Sequence, residues 1–106
     1  MTLGAALTLF YLRDVRRPRL GIIHGLIGAG GLSLLVIVLQ GPPRGEAMGA
    51  GSFGVVASVL FGIALAFGPL IALAYRRSPR VAGFLIATHA SLATTAFVLF
   101  LAWASF

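Results

Sequence analysis

The chain has no cysteine and no lysine, and only two of its 106 residues, Asp14 and Glu46, are acidic. The missing thiols exclude disulfides, thiolate metal sites and covalent attachment of haem through thioethers. Neither acid falls within a long apolar run, which argues against a small multidrug carrier, because proton coupling needs a membrane-embedded charge. Charged residues make up 9% of the chain and apolar residues 59%. A soluble domain of 11.0 kDa leaves much of its surface in water, and a mean hydropathy of +1.06 provides almost no polar residues to cover it. The expected solvent is therefore the lipid bilayer, and the expected class is an all-α integral membrane protein.

What charge there is lies between the apolar runs. The eight basic residues are all arginines: Arg13, Arg16, Arg17 and Arg19, then Arg44, then Arg76, Arg77 and Arg80. With Asp14 in the first cluster and Glu46 beside Arg44, the three clusters net +3, zero and +3. This alternation is the positive-inside pattern, not the basic face of a nucleic-acid binder, so no nucleic-acid partner is expected despite a pI near 11.8. It places the arginine turns 13–19 and 76–80 in the cytoplasm, and the 41–52 loop and the C-terminus outside, in a multi-pass protein of the inner (cytoplasmic) membrane.

At about 20 apolar residues per crossing, three full spans are legible, over 20–40, 53–75 and 81–106. Pro69 in the second predicts a kink, and Trp103, Tyr11 and Tyr75 read as interface anchors. Between the first two spans, GPPRGEAMGAGS reads as a solvated loop, mobile at its glycine-rich end. The apolar stretch 1–12 is about half a crossing long. It reads as the end of a helix that starts upstream, a short tilted helix, or a cleaved signal. The signal reading is disfavoured because the arginines follow the apolar run. The expected architecture is a single domain over 1–106, a four-helix transmembrane bundle with a short first helix.

An internal repeat supports four helices. Both halves show an apolar run ending in Tyr, an arginine turn with a proline, and a helix with one histidine near its start. Because both turns are basic, the copies are parallel helical hairpins related by an axis along the membrane normal. Pro18 precedes His24 by six residues and Pro79 precedes His89 by ten, so the two rings are expected up to one turn apart in depth.

His24 and His89 are the only titratable groups inside the predicted spans, and such groups mark function by default. Gly28 and Gly31 lie four and seven residues beyond His24, and Ala93 and Ala96 stand at the same offsets from His89. At helical spacing each histidine heads a strip with little side chain, against which a planar macrocycle can lie. Two such histidines on separate helices supply both axial metal ligands of a haem, and Arg19 and Arg80, at the same end, supply partners for its propionates. The bland reading of each feature stands beside this one. Membrane histidines also hydrogen-bond to hydroxyls or carbonyls, small-residue strips also serve close helix packing, and arginine turns are sufficient as topology signals.

On these residues the chain resembles the small four-helix b-type cytochromes of bacterial membranes, over helices two to four, Leu20 to Phe106. Many of those hold two haems on four ligands, and with two histidines this chain has ligands for one. The resemblance implies one haem b and electron transfer to or from a quinone or a redox protein, with no bond-making chemistry by the protein, hence an electron carrier more than an enzyme. The alternative is a non-catalytic accessory or structural subunit, packed as a homodimer or within a larger membrane complex. No nucleophile stands beside a base, and no phosphate-binding glycine loop is present.

Overall fold

A computed structural model describes residues 1–13 and 18–106, all helix and turn. Asp14, Arg16 and Arg17 of the first basic cluster lie outside the described residues. The order is α1 (Thr2–Leu12), α2 (Pro18–Leu39), a single 3-10 turn (Glu46–Met48), α3 (Phe53–Tyr75) and α4 (Pro79–Ala104). α2, α3 and α4 are long and apolar enough to cross a membrane, and α1 is too short. The molecule is a rod of 47 × 20 × 20 Å. Its exposed surface is 7145 Å², where a soluble monomer of this mass shows roughly 5,600 Å². Much of that surface is large apolar side chain, including Ile22, Leu26, Ile27, Leu34, Ile37, Leu73 and Phe84.

Local chemistry sets the helix bounds. α4 begins at a proline, whose missing N–H costs nothing in a first turn, and Ser78 caps it by accepting from the Val81 amide at 3.4 Å. α2 likewise starts at Pro18, so both helices run earlier than the arginines suggest. α3 continues through Pro69 as a single helix. The 41–52 loop closes on itself around a short turn. Its 3-10 turn is bracketed by Gly45 and Gly49 at φ 71° and 74°, a left-handed conformation for which glycine is suited. The Ala50 amide closes the turn on the Gly45 carbonyl at 2.8 Å, and Ala50 is buried.

The core is a seam between α3 and α4, the most closely packed pair. On α4 the residues Ala82, His89, Ala96 and Trp103 recur every seven positions, and Ala82 and Ala96 are completely covered. On α3 the facing residues are Gly54, Ala57 and Ala64. A seven-residue repeat keeps one stripe against a partner helix, and small side chains on that stripe let the backbones come close. α2 leans on α3 where Leu65 approaches Gly28 and Leu32 approaches Gly62. α1 leans on α2 through Gly4.

The two ends are latched differently. At one end the Tyr11 hydroxyl donates to the Pro79 carbonyl at 3.3 Å, and its ring meets Tyr75 edge-on at 6.0 Å. A side chain at Gly83 would overlap that hydroxyl. At the other end Trp103, expected at an interface, is 5% exposed. It is roofed by the Arg44 guanidinium at 5.6 Å and packed against Gly54. The arginine is the physical reason for the difference: it covers the indole, and its Nη1 reaches the Ala104 carbonyl at 3.4 Å.

Gly54 is where this packing is tightest. A Cβ there would stand 2.7 Å from Leu39 Cδ2 and 2.8 Å from the Trp103 ring, whereas one at Gly30 meets nothing within 4 Å. Gly54→Ala is expected to lower stability by about 1–2 kcal/mol, overpacking outweighing the gain in helix propensity. Gly30→Ala is expected to be neutral or to stabilise by up to about 1 kcal/mol. Reversible unfolding in mixed detergent micelles measures both, and equal effects would contradict the packing described.

Candidate functional site: the histidine pair

His24 on α2 and His89 on α4 meet edge-on, with ring centres 6.0 Å apart and planes inclined at 77°. Equal depth replaces the one-turn offset expected from the prolines. His24 lies fifteen residues before the end of α2 at Leu39, and His89 lies fifteen before the end of α4 at Ala104. The extra turn of α4 is therefore all on the arginine side of its histidine, where it extends that end of the helix without moving the ring.

The two rings are held differently. His89 is half-buried, and its Nδ1 stands 2.8 Å from the Ala64 carbonyl oxygen on α3. A carbonyl can only accept, so Nδ1 carries the proton and, in the neutral ring, Nε2 is left with a free lone pair. Ala64 lies five residues before Pro69, next to the Leu65 carbonyl whose helical partner the proline removes. His24 is also half-buried, and no described residue hydrogen-bonds to it. Its Cε1 edge rests on α1, where a Cβ at Gly4 would be 3.2 Å away. Glycine at position 4 is what lets α1 close over that ring.

The predicted strips part company. Gly28 meets only Leu65 at 4.0 Å, and Gly31 has open space where a side chain would be. Gly31 also lines an open groove of about 380 Å³ between α2 and α4, with Leu35, Phe100 and Trp103. On α4, Ala93 is half-buried, but Ala96 is fully buried in the seam with α3. Arg19 and Arg80 are exposed near the starts of α2 and α4, at the end of the bundle nearer the histidines.

The separation of the ring centres matches that of two imidazoles sharing one metal. An imidazole nitrogen binds a metal at about 2 Å, which puts each ring centre roughly 3 Å from it and two opposed rings roughly 6 Å apart. Among the described residues no three of His, Cys, Asp or Glu gather. Two protein ligands are too few for a tetrahedral structural ion but suit an iron that arrives with four macrocycle nitrogens. The fixing of His89 through Nδ1 to a carbonyl is the usual outer support of a ligating imidazole.

Sequence reasoning missed Gly4 and the Ala64 carbonyl. Pro69 frees the neighbouring Leu65 carbonyl and not that of Ala64, so the sequence carried no direct signal for the carbonyl that His89 meets. Gly4 carried no signal, because a glycine in a short apolar run has no distinguishing neighbour. Comparison with protein-family models, curated proteins and solved structures finds no match.

The geometry fixes a tautomer that can be measured. Nitrogen-15 NMR of the protein purified without added metal or haem is expected to show the His89 proton on Nδ1 and a bare Nε2. A ring protonated only on Nε2 would contradict the bond to Ala64.

Proposed function

We propose that the chain is a multi-pass membrane protein that holds one b-type haem between His24 and His89 and serves as an electron carrier. The observation that carries this reading is the edge-on pair of imidazoles, 6.0 Å between centres, one anchored through Nδ1 and the other without a hydrogen-bond partner among the described residues. An imidazole in an apolar helix ordinarily finds a partner, and a ligand is the partner both rings can share. Bound there, the haem would supply one-electron chemistry between ferric and ferrous iron.

The chain's own residues would orient and shelter that group. Ala64 fixes the His89 ring, Gly4 seats the His24 edge, and Gly31 leaves open space on α2, whereas Gly28 is taken up by contact with Leu65. Arg19 and Arg80 offer guanidinium groups to carboxylates at the nearer end. The equal fifteen-residue spacing from histidine to helix end supports the parallel-hairpin repeat, since a two-fold axis would bring equivalent residues to one depth. The arginine turns favour a cytoplasmic position for that end in the inner membrane. A quinone or a redox protein would be the exchange partner.

A second reading, an accessory subunit of a larger membrane complex, draws on α2. Gly21 and Gly25 have nothing within 4 Å of where a side chain would be, and such a pair suits close contact with another helix. Under this reading the chain co-purifies with a larger membrane protein, and Gly21→Leu or Gly25→Leu releases it. A chain that runs alone and stably in mild detergent speaks against it.

For the haem reading, protein from haem-replete cells is expected to be red, with a sharp reduced-minus-oxidised difference spectrum that is lost in His24→Ala and in His89→Ala. Gly4→Val, which crowds the His24 ring, is expected to weaken or shift that spectrum without abolishing the fold. Colourless, folded protein from such cells would end the proposal.

A further inference from the structure

A second feature lies at the α3–α4 turn, beside the end of the heptad seam at Ala82. Leu73, Ala74, Arg77, Ser78 and Val81 line an open groove of about 400 Å³ where the last turn of α3 meets the first turn of α4. Its floor is apolar and faces outward, Leu73 and Val81 each being more than half exposed. Its rim is basic. Arg77 is exposed, and no described residue accepts from its guanidinium. Arg76 and Arg80 flank it in the same turn, and Arg13 and Arg19 stand at the same end of the bundle, with no acidic residue among the described residues there.

The first turn of α4 adds to the positive character of the rim. Pro79 has no amide hydrogen and the Val81 amide is taken by Ser78, which leaves the Arg80 amide as the first-turn donor without a helical partner. The opposite end of the molecule provides a contrast. There Arg44 is already engaged by the Trp103 ring and the Ala104 carbonyl, and Glu46 follows two residues later. One arginine is held by the protein itself, and the other is left available beside an apolar groove.

We propose that this groove seats one anionic phospholipid, with its phosphate against Arg77 and an acyl chain along Leu73 and Val81. The occupant is fixed by charge complementarity at the rim combined with an outward apolar floor: an anion without a chain leaves the floor uncovered, and a zwitterionic lipid gains less from the cations. The inference requires the membrane placement proposed above and is independent of haem binding.

The test is native mass spectrometry of the full chain, delipidated in mild detergent and titrated with dioleoyl phosphatidylglycerol, dioleoyl phosphatidylcholine or inorganic phosphate. One phosphatidylglycerol per chain is expected to bind at least several-fold more tightly than phosphatidylcholine. Arg77→Gln is expected to weaken phosphatidylglycerol about fivefold, the factor that roughly 1 kcal/mol per arginine represents. Arg13→Gln is expected to change it less than twofold, and Arg77→Lys to retain most of it. Val81→Trp, which fills the floor and keeps every charge, is expected to weaken the lipid as well, with helix content by circular dichroism confirming that each variant is folded. Equal losses in Arg77→Gln and Arg13→Gln, equal binding of the two lipids, or an unchanged Val81→Trp would overturn the proposal. Complete displacement of lipid by millimolar inorganic phosphate would also overturn it, because the site would then recognise phosphate alone.

Discussion

The structure depends on how closely α3 and α4 approach. Ala57 and Ala64 on one side and Ala82 and Ala96 on the other provide almost no side chain to hold the backbones apart, and with His89 midway between the latter two a seven-residue spacing keeps that contact continuous along the helices. The hydrogen bond from His89 to the Ala64 carbonyl belongs to the same seam and is possible only because it is narrow. An imidazole reaches a neighbouring helix's backbone at 2.8 Å where no side chain intervenes. The alanines and the histidine are thus one device, in which packing by small residues positions a polar group. Packing then loosens outward, from the seam to α2 by way of Gly28 and Gly62, and from α2 to α1 by way of Gly4.

This gradient makes the two histidines unequal although the sequence places them in matching contexts. His89 stands on the tightest interface and has its donor satisfied. His24 stands on the looser side, pressed by Gly4 and facing His89, with no described hydrogen-bond partner. In an apolar setting one interhelical hydrogen bond is worth about 0.6 kcal/mol on average and roughly 1.7 at most. Ala64 can therefore fix one ring, but that single bond adds little to the stability of the bundle. The pair consists of one ring fixed to a neighbouring helix and one ring without a described hydrogen-bond partner.

Much of the fold was legible because its signals are compositional. α3 over Phe53–Tyr75 is bounded by a glycine-rich loop and an arginine turn, and both mark sharp changes in hydropathy. The seam was not legible, since a helix that is apolar all round gives no contrast between its buried and exposed faces. Ala82, His89, Ala96 and Trp103 form a heptad that stands out only once α3 is known to lie against it. Ala96 was read as part of a cofactor strip for that reason. Trp103 was read as an interface anchor because nothing in the sequence joins it to Arg44, 59 positions earlier. The 41–52 loop was read from its glycines, but the sequence did not show that two of them, Gly45 and Gly49, take left-handed conformations.

The meeting of the histidines is a matter of register, and the two ends contribute to it unequally. Measured from the arginine side, the rings are offset by a full turn; measured from the other ends of α2 and α4, they are level. The level end is also the one that is pinned, by Trp103 against Gly54 and by Arg44 on the Ala104 carbonyl. The uneven end is joined through the Tyr11 hydroxyl, a contact from a short helix that has no buried residue of its own. Depth in this bundle is therefore counted from the tryptophan end. The arginines on the opposite side stand at unequal distances along the chain from the rings, five residues for Arg19 and nine for Arg80.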